Sequence, residues 1–175
     1  SGVTTGLTVN LSSPNGEDGS FSDGASTADY FDIEHIILSA GDDTLTMSDG
    51  SGLDRVEGFV APTDNLDGTF SGNDLIDVTA LNDGDGNPVN TFDVTVTDSV
   101  GDGSGDAILT FPNGEAITLV GVLASAVTSD LQLAALGIPL SDGIVTGTVG
   151  DDAIDGAYTA DTDGDFVDNN DSHLA

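Results

Sequence analysis
Short apolar blocks alternate with polar residues along most of this chain, and that period of two predicts strands. Residues 3–11 alternate well enough for a first strand. Phe31, Ile33, His35 and Ile37 alternate with Asp32, Glu34 and Ile36 and predict a second. Shorter runs follow at 44–47, 53–60 and 74–81, and the block 92–98 alternates strictly. Two further runs, 107–111 and 116–122, flank Pro112-Asn113-Gly114-Glu115. Asn-Gly between apolar runs predicts a hairpin, because both turn positions tolerate positive φ. The Ser-, Gly- and Asp-rich stretch 12–29 reads as a loop. One short helix is predicted near 125–136. Ser125 or Thr128 would cap it, Asp130 suits its positive start, and Leu131, Leu133, Ala134, Ala135 and Leu136 supply the apolar face. Gly137 and Pro139 stop it.

The predicted class is all-β. A parallel roll or solenoid, a sandwich, and a roll joined to an antiparallel layer all accommodate the runs. The 107–122 hairpin favours the last, since a purely parallel solenoid has no place for it. Residues 1–140 read as one β-rich module, divided into N-terminal strands and loop (1–50) and a second part (51–140). Residues 141–175 read as an acidic tail.

Composition changes the picture. The 175 residues carry 32 acids against one base, Arg55, for a formal net charge of −31. Only Glu17, Glu34, Glu57 and Glu115 are glutamates, so 32 less 4 leaves 28 aspartates. Nucleic-acid binding through phosphates needs clustered Lys and Arg, and the chain offers no such cluster. Attraction to anionic membranes fails for the same reason, and no apolar run reaches the ~18 residues of a membrane span. Without Cys there is neither disulfide nor thiolate site. So much like charge opposes compaction, and cations are the simplest compensation. Asp beside Gly in a tight turn reaches a cation readily, and Ca²⁺, a hard ion taking six to eight oxygens, is the expected partner.

A short unit recurs: Gly-x-Asp-x-aliphatic. It stands as Gly41-Asp42-Asp43-Thr44-Leu45, Gly52-Leu53-Asp54-Arg55-Val56 and Gly150-Asp151-Asp152-Ala153-Ile154, with a variant at Gly72-Asn73-Asp74-Leu75-Ile76. The Gly turns the backbone, the Asp offers a carboxylate, and the aliphatic residue starts a strand that fills a narrow core. The unit resembles the nonapeptide repeat of RTX proteins, secreted bacterial proteins that wind into a Ca²⁺-filled parallel β-roll, though these copies are not spaced by nine. The resemblance implies Asp43, Asp54, Asp74 and Asp152 as carboxylate ligands, with Gly41, Gly52, Gly72 and Gly150 giving carbonyls. The series from Val56 through Leu109-Thr110-Phe111-Pro112-Asn113-Gly114-Glu115 to Leu136-Gly137-Ile138-Pro139 is similar to a module that precedes Hint domains or RTX repeats in large secreted proteins. Leu140 stands where a Hint domain would need Cys, so self-cleavage is excluded. Gly147-Thr148-Val149-Gly150-Asp151-Asp152 is similar to the opening of an RTX repeat block.

Three acidic clusters add candidates. The tail places Asp161, Asp163, Asp165 and Asp168 at near-alternate positions, as EF-hand-like loops do, but Gly164 comes fourth and no Glu stands twelfth. Asp83, Asp85 and Asn87 form a shorter cluster, and Asp102 and Asp106 flank Gly103-Ser104-Gly105. Each could equally be a turn with a solvated carboxylate.

No catalytic constellation stands out. His35 and His173 lack ligand or triad spacing, and aromatic platforms for sugars are sparse. The expected role is a non-catalytic, extracellular Ca²⁺-binding structural module that folds on binding the ion. Self-association through β edges into a filament or surface layer is one alternative. A non-catalytic part of a secreted hydrolase is another.

Overall fold
The computed structural model describes residues 5–11, 18–33, 35–84, 86–141, 143–155, 158 and 161. Among these the protein is mostly β-sheet with one short helix. The strands are β1 (Thr8–Asn10), β2 (Gly19–Ser22), β3 (Thr27–Tyr30), β4 (His35–Ile37), β5 (Thr44–Ser48), β6 (Leu53–Glu57), β7 (Thr63–Asp64), β8 (Phe70–Ser71), β9 (Leu75–Ala80), β10 (Thr95–Asp98), β11 (Asp106–Thr110) and β12 (Ala116–Leu123). The helix α1 spans Asp130–Ala135.

Two five-stranded sheets carry the core. The first runs β3-β2-β1-β5-β9 and the second β10-β11-β12-β6-β4, while β7 and β8 pair apart. In the first sheet β1, β5 and β9 are mutually parallel neighbours. In the second, β4, β6 and β12 are. The chain alternates between sheets as it lays down these parallel strands: β4 second, β5 first, β6 second, β9 first. Antiparallel hairpins flank them, β2–β3 on the first sheet and β10–β11 on the second. Strands before and after residue 50 therefore share both sheets.

The period of two decides which side chains meet. Val9, Leu45, Met47, Ile76 and Val78 from the first sheet join Val56, Leu109, Ile117 and Leu119 from the second in one buried cluster. At ~25 cal/mol per Å² of apolar surface removed from water, these side chains supply the main favourable term. The expected 107–122 hairpin is present as β11–β12, and Gly114 has φ 97 at its turn.

Four expectations need correction. The 12–29 loop holds a hairpin, β2–β3, closed by Asp23, whose carboxylate accepts the Ala25 and Ser26 N–H groups. The strand expected from Phe31 shortens to His35–Ile37, because Asp32 adopts φ 55 and turns the chain. The start of 92–98 is a 3-10 turn, Thr91–Asp93, since Asn90 and Asp93 cap each other's backbone. The helix starts later than expected: Ser129, not Ser125 or Thr128, is its cap, in a capping box with Gln132.

Candidate metal centre
The Gly-x-Asp units ending at Asp43 and Asp74 lie at the turns that lead into β5 and β9 and form a hydrogen-bonded ladder, whereas Asp54 lies within β6 and no strand follows Gly150 among the described residues. Leu7, Asp43 and Asp74 precede β1, β5 and β9 in adjacent register. The Asp43 carboxylate accepts the Leu7 N–H at 2.5 Å. The Asp74 carboxylate accepts the Asp43 N–H at 2.8 Å. The remaining oxygen of each ties in a turn from the other sheet: Asp43 takes the Ser39 N–H at 3.0 Å and Asp74 the Val60 N–H at 2.7 Å. Both carboxylates are buried to about 1% exposure, so each is a strut between neighbouring windings. Burial pushes the Asp74 carboxyl up, against the pull of the Asp43 and Val60 N–H groups, and the Asp43 and Asp42 charges add to the rise. The glycines allow close approach here: a Cβ on Gly41 would strike the Gly6 backbone, and one on Gly72 the Ala135 carbonyl.

Asp152 shows the local half of this arrangement. Thr148 gives it both its N–H, at 2.7 Å, and its hydroxyl, at 2.9 Å. Ser39 does the same for Asp43 from the same four-residue separation. In both units the hydroxyl also accepts the N–H of the glycine, Gly41 or Gly150. The working unit is thus Ser/Thr-x-Gly-x-Asp. Its signal, a hydroxyl residue two places before Gly, stood in the sequence and was missed.

The remaining candidates divide. Asp54 points inward from β6 and is buried. Burial, aided by the Asp54 charge, pushes the Tyr30 hydroxyl up to about 12, and that hydroxyl donates to the Asn10 carbonyl at 3.0 Å. Asp83 accepts the Asn87 N–H and side-chain amide at 2.7 and 3.0 Å. Asp102 accepts the Ser104 N–H and hydroxyl at 3.0 and 2.6 Å. Asp106 accepts the Gly121 N–H at 2.8 Å and meets the Arg55 guanidinium at 3.5 Å. Asp161 accepts the Thr146 N–H and hydroxyl at 2.6 and 2.7 Å. Asp85, Asp163, Asp165 and Asp168 lie outside the described residues. Among the described residues no three His, Asp or Glu side chains converge as a ligand set. The Gly52 carbonyl accepts the Ala116 N–H, holding β12 against β6.

Sequence reasoning also missed Glu115. It precedes β12 as Asp74 precedes β9, and is 4% exposed. Its Oε1 accepts the Gly50 N–H at 2.8 Å, while its Oε2 is buried with no hydrogen-bond donor among the described residues. A glutamate at the end of an Asn-Gly turn was the visible signal, read only as turn chemistry. Nearby, Asp49 accepts the Asn82 N–H and side-chain amide, and these bonds hold its carboxyl below the usual range.

No family model, no curated protein and no solved structure matches the chain. The site has to be read from its own chemistry.

Proposed function
We propose that this chain is a non-catalytic, extracellular Ca²⁺-binding structural module of an RTX-like protein, one that folds or firms on binding the ion. The observation that carries the reading is Glu115 Oε2, a carboxylate oxygen buried without a donor among the described residues, in a protein of net charge −31. A buried anionic oxygen is costly until a proton or a cation meets it. Calcium favours such oxygens, and millimolar extracellular calcium fills even weak sites. The path of the chain supports the same reading. The two sheets are open, but parallel strands laid alternately into them, with Gly-x-Asp before β5 and β9, are compatible with a short two-sheet roll.

The test is thermal unfolding followed by circular dichroism, in 5 mM (about millimolar) Ca²⁺ and in excess chelator. Stabilisation by Ca²⁺ and not by equal ionic strength of Na⁺ is expected, and Glu115→Gln is expected to reduce it. An identical melting point in chelator and in Ca²⁺ would sink the reading.

A further inference from the structure
The two sheets overhang one another at opposite ends. Beyond the shared parallel strands the first sheet continues past β1 into β2 and β3, and the second continues past β12 into β11 and β10. The core side of the β12 end is covered. The 3-10 turn Ala124–Ala126 packs on β10 and β11, and Leu133, Leu136 and Ile138 join the core. The Leu136 carbonyl accepts the Ile76 N–H along the outer edge of β9.

Among the described residues the β1 end is not covered in this way. Phe21 lies opposite Val9 and Ala28 in the ladder, so it projects on the core side of the sheet. Val9 is buried, yet Phe21 is 44% exposed and lines a cleft with Leu7, Thr27 and Ala28. Phe31 and Ile37 are exposed close by in sequence. Among the described residues no strand pairs the outer edge of β3 or of β4.

We propose that a second copy of this chain covers this end in a two-fold lap joint. Each copy's β2–β3 hairpin lies in the two-strand space beyond the partner's β4, so that β3 of one pairs with β4 of the other and the two Phe21 rings bury together. Strand directions fit. β3 runs with β1 and β5, whereas β4 runs with β6, which follows β5 through a four-residue reversal at 49–52. β3 and β4 therefore run oppositely, the antiparallel sense that a two-fold axis along the strands produces. Charge does not oppose the pairing: β3 carries a single acid, Asp29, and β4 carries His35, whose Nε2 lies 3.3 Å from the Glu57 carboxylate of its own copy. A helix, as at the covered end, would leave the backbone groups of both edges unpaired, and a strand does not. At the other end Leu133, Leu136 and Ile138 already fill the core side, so the same lap joint is not repeated there and association by this route stops at two. The proposal does not depend on calcium.

Sedimentation velocity of the whole chain over rising concentration tests it, in 1 M NaCl (~3 Å screening length) to suppress repulsion between two acidic bodies. A species of twice the monomer mass is expected. Phe21→Glu, folded by circular dichroism, should weaken association at least about thirtyfold. Hydrogen exchange of β3 and β4 amides in the unaltered chain should slow as concentration rises. A monomer at every concentration, mass that keeps growing past two, a dimer indifferent to Phe21→Glu, or protection confined to other strands would each overturn the proposal.

Discussion

Asp74 and the pair Asp98/Asp102 are all turn aspartates within three residues of a glycine, and they do opposite electrostatic work. Asp74 follows Gly72 by two residues, Asp98 precedes Gly101 by three and Asp102 lies between Gly101 and Gly103, and each accepts backbone N–H groups. The two partners of Asp74 lie 31 and 14 residues away, across windings. Those of Asp98 and Asp102 lie within five residues, inside one exposed loop. Burial therefore pushes the Asp74 carboxyl up, while the Gly103 N–H draws Asp98 down and the Ser104 hydroxyl and N–H draw Asp102 down. The charge on Asp74 is a cost that the fold tolerates for the sake of its two long-range bonds. The charge on Asp98 is itself the acceptor that closes a loop. A count of acids misses this distinction, and it separates the residues whose loss would open the core from those whose loss would loosen a surface turn.

The largest effect expected from that contrast belongs to Asp74→Ala. It leaves the N–H groups of Asp43 and Val60 without partners in a buried layer, at about 1–3 kcal/mol each. Urea unfolding should show a loss of about 3 kcal/mol or more. A loss no greater than that of an exposed loop aspartate would erase the comparison.

Much of the fold was legible because its signals are local. The apolar runs 107–111 and 116–122, with Asn113-Gly114 between them, led directly to β11–β12. The β2–β3 hairpin was not legible, since Phe21, Ala28 and Tyr30 are few among Ser, Gly and Asp, and their face is incompletely buried. Asp23-Gly24 was the available sign, as Gly24 takes φ 82 there. The Asp residues of the Gly-x-Asp units were found, but their partners were not. The bonds from Asp43 to Leu7 and from Asp74 to Val60 depend on which windings become neighbours, and spacing along the chain does not encode that.

A smaller and more diagnostic effect is expected from Asp74→Asn measured against pH. The raised carboxyl in the folded state means that Asp74 contributes stability below its ordinary value of 3.8 and loses it as pH rises through the folded value. The amide pays no ionisation cost at any pH. The deficit of Asp74→Asn relative to the unaltered chain should therefore shrink as pH rises above 3.8. A deficit that grows over that range would mean that Asp74 is held down, as Asp98 is, and the two regions would no longer differ in kind.

The smallest effect is expected from Asp98→Asn. Asp98 is held low by the Gly103 and Val100 N–H groups, so its contribution is present above 3.8 and fades as pH falls through the folded value. The amide oxygen still accepts one of those bonds, and the loop is exposed, so water takes the other. Global melting should barely move at neutral pH. Hydrogen exchange at the Gly103 amide should rise, because that N–H loses its charged acceptor. Amides of Ile117 and Leu119, in the buried β12 ladder, should exchange as before. If the β12 amides also speed up, the loop 98–106 is fastened to the core rather than to itself, and the bulge where Asp106 meets Leu123 is the place where that coupling would enter.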